Sequence, residues 1–125
     1  MYEVNRSVII VKPRQPFVDW LLGLPFEIDA DEVNLVNLRR DSNALLVPAI
    51  EDYDDLRAVL KQRWPDIFEA ELADWCADDS LWPEKRTQNL FSQWFEIELS
   101  SVLTDLCDEP LEREAYDDIE LPDAE

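Results

Sequence analysis

The run RSVIIVKP, Arg6–Pro13, constrains the fold of this chain more than any other stretch. It is apolar and rich in β-branched residues, which is typical of a buried strand, and its proline marks the strand's end. A second strand is predicted over 44–50, ALLVPAI, where Pro48 favours a sheet edge because proline lacks the donor a central strand needs. Two strands are marginal alone, so the rest of the chain must cover them.

The first half of the chain also contains two predicted helices. One begins at Pro16 and ends near Gly23, the only glycine in the chain. Its apolar residues recur at helical spacing: Phe17, Trp20, Leu21 and Leu24. A shorter helix is predicted within 29–43, with Asp29 or Asp31 as its cap and two arginines at its end, the order that the helix dipole favours.

The second half reads as helical. Asp52 and Asp54 are capping candidates for a helix that Pro65 should end, and a further helix should start at that proline because proline fits a first turn. Residues 87–107, TQNLFSQWFEIELSSVLTDLC, show a helical series of apolar side chains over several turns. The segment FEIEL within them also alternates, so a strand is the minority alternative there.

The sequence therefore predicts one α+β domain over residues 1–107, followed by an acidic tail over 108–125. Its small two-stranded sheet should be covered by four to five helices. Because two strands pair poorly alone, a homodimer that joins sheet edges is slightly favoured, with Pro48 as the main objection.

Charge is the strongest compositional feature. The chain has 30 acidic and 11 basic residues, for a net charge of −19, and most of the excess lies in 51–80 and 108–125. Such a field repels nucleic acid and anionic lipid and attracts basic partners, although acidic surfaces also simply aid solubility. No apolar run is long enough to span a membrane, and the start lacks a signal-peptide pattern.

Two segments, NRSVIIVKPRQPFVDWL and LWPEKRTQNLFSQWF, resemble a group of small conserved hypothetical proteins from bacteria. The resemblance covers most of residues 4–108 and fades in the tail. No function is attached to that group, so the resemblance implies a bacterial, cytoplasmic protein and nothing about chemistry.

The sequence argues against an enzyme. It has no histidine, the commonest general base and metal ligand, and no glycine-rich phosphate loop or serine nucleophile motif. Cys76 and Cys107 lie among carboxylates, which oppose a reactive thiolate, so both are predicted to be reduced core thiols. The acidic groups 51–55 and 74–79 lack the calcium-loop pattern and are better explained as helix caps and a turn. No cofactor is predicted.

The predicted function is a non-enzymatic, acidic protein-interaction module that binds a basic protein partner through carboxylate-rich helices and the tail. One alternative is a DNA mimic that occupies a DNA-binding cleft; another is an enzyme with a carboxylate-bound Mg²⁺ or Ca²⁺. Direct nucleic-acid binding is excluded by charge.

Aromatic and tail residues supply the candidate binding site. Four tryptophans lie on apolar helical stripes and are predicted to be core: Trp20, Trp64, Trp75 and Trp94. Trp82 lies in a polar turn, where it is either an exposed anchor or packs on its own domain, with Arg86 as a cation–π partner. The tail interleaves apolar and acidic side chains, and its predicted partner-binding residues are Tyr116, Asp117, Asp118, Ile119, Glu120 and Leu121. A solvated terminus is the simpler alternative.

Overall fold

The computed structural model describes residues 1–116, which form four α-helices, a 3₁₀ turn and two antiparallel sheets. The strands are β1 (Tyr2–Glu3), β2 (Arg6–Pro13), β3 (Asn43–Pro48), β4 (Phe95–Ser100) and β5 (Thr104–Asp105). The helices are α1 (Gln15–Leu22), α2 (Leu35–Arg40), α3 (Tyr53–Trp75) and α4 (Gln88–Trp94), with the 3₁₀ turn at Asp79–Leu81. The α+β class is confirmed, but a three-stranded sheet and a small pair, β1–β5, replace the predicted two-stranded sheet.

The main sheet has the order β3–β2–β4, so the apolar run at Arg6–Pro13 is its central strand. The backbone hydrogen bonds of β2 go alternately to β3 and to β4. The Arg14 amide donates to the Trp94 carbonyl at 2.7 Å, and Lys12 faces Glu96 two residues further along, so even-numbered residues of β2 bond to β4. The odd-numbered residues then bond to β3, and Pro48, opposite Arg6, has its ring nitrogen on the outer side. This confirms the edge position predicted for Pro48.

The predicted helix over 87–107 is wrong in its second half. Helix α4 ends at Trp94 and β4 begins at Phe95 with no intervening loop. The minority alternative, a strand predicted from the alternation in FEIEL, is correct. Phe95 and Ile97 face the core, while Glu96 and Glu98 face the other side of the sheet. The pairing with β2 outweighs the local helical spacing. Strand β2 is buried and bonds to β3 on one side only, so its backbone groups on the other side need the hydrogen bonds that β4 provides.

The predicted break at Pro65 is also wrong, because α3 continues through it for 23 residues. Proline there removes the bond to the Lys61 carbonyl, but both residues lie on the exposed side of the helix, where water can satisfy that carbonyl. Leu56 on one side of the proline and Phe68 on the other are both buried, and their packing keeps the two halves in one helix.

The other helix ends are set by short side chains. The Asp52 carboxylate accepts from the Asp55 amide at 3.0 Å, which confirms the predicted cap of α3. Helix α2 starts later than predicted: Asn34, rather than Asp29 or Asp31, accepts from the Asn37 amide and caps it.

Phenylalanines form the centre of the core between the sheet and the helices. The ring of Phe95 lies 4.9 Å from that of Phe17, 5.4 Å from Phe91 and 5.7 Å from Phe68. Such tilted and edge-to-face pairs add to the stabilisation from apolar burial. The core therefore contains side chains of α1, α3, α4 and β4. The first turn of α3 lies near the outer edge of β4, and its last turn lies near the start of β3.

Two predicted core residues lie at the surface instead. Trp75 is 45% exposed at the end of α3, whereas the other stripe tryptophans, Trp20, Trp64 and Trp94, pack against the core. Cys76 is buried as predicted, but Cys107 is exposed because the chain has left the sheet by that point.

Candidate partner-binding surface

Trp82 is part of the core and is not an exposed anchor. Its side chain is only 8% exposed, and its indole nitrogen donates to the Cys76 carbonyl at 2.9 Å. The Arg86 guanidinium lies 5.5 Å from the centre of the ring and also pairs with Glu69 at 3.2 Å. Of the two interpretations of this residue, packing on its own domain with a cation–π contact is the one that the structure shows.

Of the predicted binding residues in the tail, the structure describes only Tyr116. Tyr116 is 81% exposed, and residues 108–116 form no helix or strand. The remaining predicted anchors and carboxylates, Asp117, Asp118, Ile119, Glu120 and Leu121, lie outside the described residues. The tail's role therefore stays a prediction.

A cleft of about 410 Å³, here called the carboxylate cleft, lies between α2, the start of β3 and the end of α3. Its polar lining is Glu32, Asn37, Asp41, Ser42, Asn43, Glu71 and Asp74. No Lys or Arg is among the described residues that line it. The exposed ring of Trp75 forms part of the wall, so the cleft offers carboxylates, amides and one aromatic surface.

Asn43 holds two of these carboxylates close together. Its side-chain amide donates to Glu71 at 2.6 Å and to Asp74 at 3.1 Å. Glu71 is 7% exposed, and burial raises its pKa from 4.5 to about 7; the hydrogen bond from Asn43 opposes this rise and the nearby charge of Asp74 adds to it. Near neutral pH this site therefore holds a carboxyl that can either bind a proton or be stabilised by a cation.

A second depression, here called the edge groove, measures about 510 Å³ and lies between the first turn of α3 and the outer edge of β4. Its apolar lining includes Ile50, Leu56, Ile97 and Leu99, and Tyr53 is exposed beside it. Its acidic lining is Glu51, Asp52, Glu96 and Glu98. It combines an apolar floor with negative charge next to a strand edge.

The carboxylates on β4 are held by bases from neighbouring elements. Arg39 pairs with Glu96, and its guanidinium holds the pKa of that carboxyl below its usual range. Lys12 pairs with Glu98 at 3.2 Å. Glu51 and Asp52 have no such ion pair within residues 1–116. They keep the groove negative despite the pairs on the strand.

Two further observations bear on the function classes. Within residues 1–116, no three Cys, Asp or Glu side chains come together in a group suited to a metal ion. In the same part of the chain, no helix is both long and apolar enough to cross a bilayer. The acidic group at 74–79 includes Asp78, whose carboxylate accepts from the Ser80 amide at 3.0 Å and starts the 3₁₀ turn, as predicted.

Comparisons with known proteins found no matching family model, no matching curated protein and no matching solved structure. The resemblance to small bacterial proteins therefore stays a prediction, and the function is inferred from the geometry and charge of this chain.

The carboxylate cleft was not predicted from the sequence. One local signal could have found it: Glu71 lies four residues after Ile67 and three after Phe68, on the buried stripe of α3, where a carboxylate needs a partner. Its partner Asn43 lies on a different element, 28 residues earlier in the chain. The pairing depends on the fold and not on any sequence spacing.

Proposed function

We propose that this chain is a non-enzymatic protein-interaction module that binds a basic protein partner. The charge of the described surface supports this function. Of the Asp and Glu residues in 1–116, five form ion pairs with Lys or Arg, and 20 have no such pair among the described residues. A surface with this excess attracts cationic partners and accelerates their encounter at low ionic strength.

The observation that carries the proposal is the carboxylate cleft. A guanidinium is planar, has five donors and stacks on aromatic rings, so it matches a cleft with a carboxylate pair and an exposed indole. Glu71 and Asp74 supply the acceptors, and Trp75 supplies the ring. We infer that an arginine side chain of the partner occupies this cleft.

Binding of a cation there should be linked to proton release. A guanidinium stabilises the charged form of Glu71 and so lowers its pKa from about 7, which expels the proton that part of the free protein carries. Affinity should therefore rise as pH increases through about 7 and level off above it. An exposed acidic patch with ordinary pKa values would show no such dependence near neutrality.

The test uses isothermal titration calorimetry with a short synthetic peptide that contains adjacent arginines, and the same peptide with citrulline as a neutral control. One saturable site is expected for the arginine peptide, with Kd weakened about tenfold by Asp74→Asn. Repeating the titration in buffers of different ionisation enthalpy measures the proton release. The double variant Glu27→Gln/Glu84→Gln is a matched control, because it removes two exposed carboxylates outside both the cleft and the acidic tail.

Two results would overturn the proposal. If the control variant weakens binding as much as Asp74→Asn does, the attraction is diffuse and the cleft is not a site. If the arginine and citrulline peptides behave alike at physiological salt, the protein does not recognise cationic side chains at all.

The DNA-mimic alternative has less support from the described surface. Arg57, Lys61 and Arg63 interleave with the acids of α3, and these bases offset part of the negative charge that a mimic would present there. Competition between this chain and duplex DNA for a basic DNA-binding domain would favour that alternative instead.

A further inference from the structure

The outer edge of β4 has unpaired backbone groups. Because Glu96 and Glu98 exchange hydrogen bonds with β2, the N–H and C=O groups of Ile97 and Leu99 point away from the sheet. None of these groups has a hydrogen-bond partner among residues 1–116. An edge of this kind is a template for one more strand.

The edge groove runs beside this template. Side chains of an added strand would alternate between the two faces of the sheet, as those of β4 do. On the core face they would meet Ile97, Leu99 and Leu56, next to the exposed ring of Tyr53. On the opposite face they would meet Glu96 and Glu98.

The negative charge beside β4 determines which kind of strand can pair with its outer edge. A second copy of this chain paired edge to edge would bring its own Glu96 and Glu98 close to the same residues, and like charges across a strand pair are destabilising. Acidic side chains on an edge strand are a known protection against such self-pairing. Lys12 and Arg39 already pair with Glu98 and Glu96, so the charge that favours Lys or Arg on an incoming strand comes mainly from Glu51 and Asp52, which have no ion pair among residues 1–116.

We propose that an extended segment of a partner protein, with alternating apolar and basic side chains, pairs with β4 as a fourth strand of the sheet. Its apolar side chains fill the edge groove and its Lys or Arg side chains lie beside Glu96 and Glu98. Main-chain hydrogen bonds to Ile97 and Leu99 provide the docking, and the alternation provides the selectivity. This inference rests on the proposed function only in that the partner is basic.

The opposite edge of the sheet provides a comparison. On β3 the outward positions are Ala44, Leu46 and Pro48, and proline offers no donor there. The basic partner strand is therefore expected at β4, and a variant on β3 can serve as a control.

The experiment measures binding of a synthetic peptide that alternates valine and lysine, with a peptide of the same composition in block order as a control. Binding is followed by calorimetry, and amide hydrogen exchange of Ile97 and Leu99 is recorded by NMR. The expected result is tighter binding of the alternating peptide and slowed exchange at both amides. Leu99→Pro removes one outward donor without removing a bond to β2, and it also shortens a side chain that lines the groove. It should weaken binding by at least about fivefold, the effect of one net hydrogen bond. Leu46→Pro, its counterpart on β3, should leave binding unchanged.

Because a proline in a strand can disturb folding, Glu98→Lys gives an independent test. It should weaken binding of the alternating peptide and reduce its salt dependence, whereas Glu84→Lys, on the exposed turn before α4, should change neither as strongly. Equal affinity for alternating and block peptides, or slowed exchange that is absent from Ile97 and Leu99, would overturn this inference.

The outcomes separate this inference from the proposed function. If Asp74→Asn weakens binding of the arginine peptide but Leu99→Pro and Glu98→Lys leave binding of the alternating peptide unchanged, the cleft stands and the strand addition fails. If a second copy occupies the edge, sedimentation will show a dimer that Leu99→Pro dissociates, and the partner strand proposed here is then refuted.

Discussion

Glu71→Gln should make the protein more stable at alkaline pH and leave it almost unchanged in acid. Burial raises the pKa of Glu71 from 4.5 to about 7, so between these values the native state holds a proton that the unfolded chain has lost. The free energy of unfolding therefore falls as pH rises through this window. One pKa unit corresponds to about 1.4 kcal/mol, so the full cost above the window is at most about 3.5 kcal/mol.

Glutamine removes this cost because it carries no charge at any pH. Its side-chain oxygen can still accept the hydrogen bond that Asn43 donates to Glu71, and its volume is nearly the same. We therefore expect the variant to be stabilised by at most about 3.5 kcal/mol at pH near 8, and by much less than that at pH near 5. Carboxyls away from the carboxylate cleft contribute equally to both proteins, so the difference between their stability curves reports Glu71 together with its coupling to Asp74.

Urea unfolding followed by tryptophan fluorescence at several pH values between about 4.5 and 8 measures this difference, and urea does not screen charge as a salt denaturant would. Glu84→Gln, which removes an exposed carboxylate, should run parallel to the wild type at every pH. If Glu71→Gln also runs parallel to the wild type, the carboxyl is ionised without cost and the linkage argued for the carboxylate cleft is wrong.

Three other expectations concern the backbone, the thiols and the total charge. Gly23 has φ −87° and ψ −4°, which any residue adopts, so Gly23→Ala should raise the unfolding free energy by about 0.4–1 kcal/mol in urea titrations; a loss would show that a side chain clashes there. A maleimide should label the exposed Cys107 in the native protein and reach Cys76 only after unfolding, as mass spectrometry can show; rapid labelling of both would contradict the packing of α3. Raising ionic strength from about 10 to about 150 mM should increase the melting temperature, because it screens repulsion among unpaired carboxylates; a falling curve would mean that ion pairs dominate.

The sequence predicts elements well where local pattern and tertiary role agree. The β-branched run at Arg6–Pro13 is the central strand, and Pro48 lies on an edge strand as its missing donor requires. Asp52 caps α3 because its side chain acts within one turn. Each of these depends on residues close together in the chain.

Prediction fails where a distant partner decides the outcome. Residues 95–100 have both helical and strand spacing, and only the second edge of β2 selects the strand. Pro65 is tolerated because buried residues on both sides of it hold α3 together. The carboxylate cleft depends on Asn43 reaching across to Glu71, which no local pattern encodes.

The loop-free junction between α4 and β4 has a consequence for how this chain can vary. Trp94 ends the helix and Phe95 starts the strand, so the end of the helix determines which side chains of β4 face the core. A single-residue insertion at this point would exchange the two faces of β4 and turn Glu96 and Glu98 toward the phenylalanine core. Insertions and deletions in natural variants are therefore expected in the turns before α4. None is expected between Trp94 and Ser100.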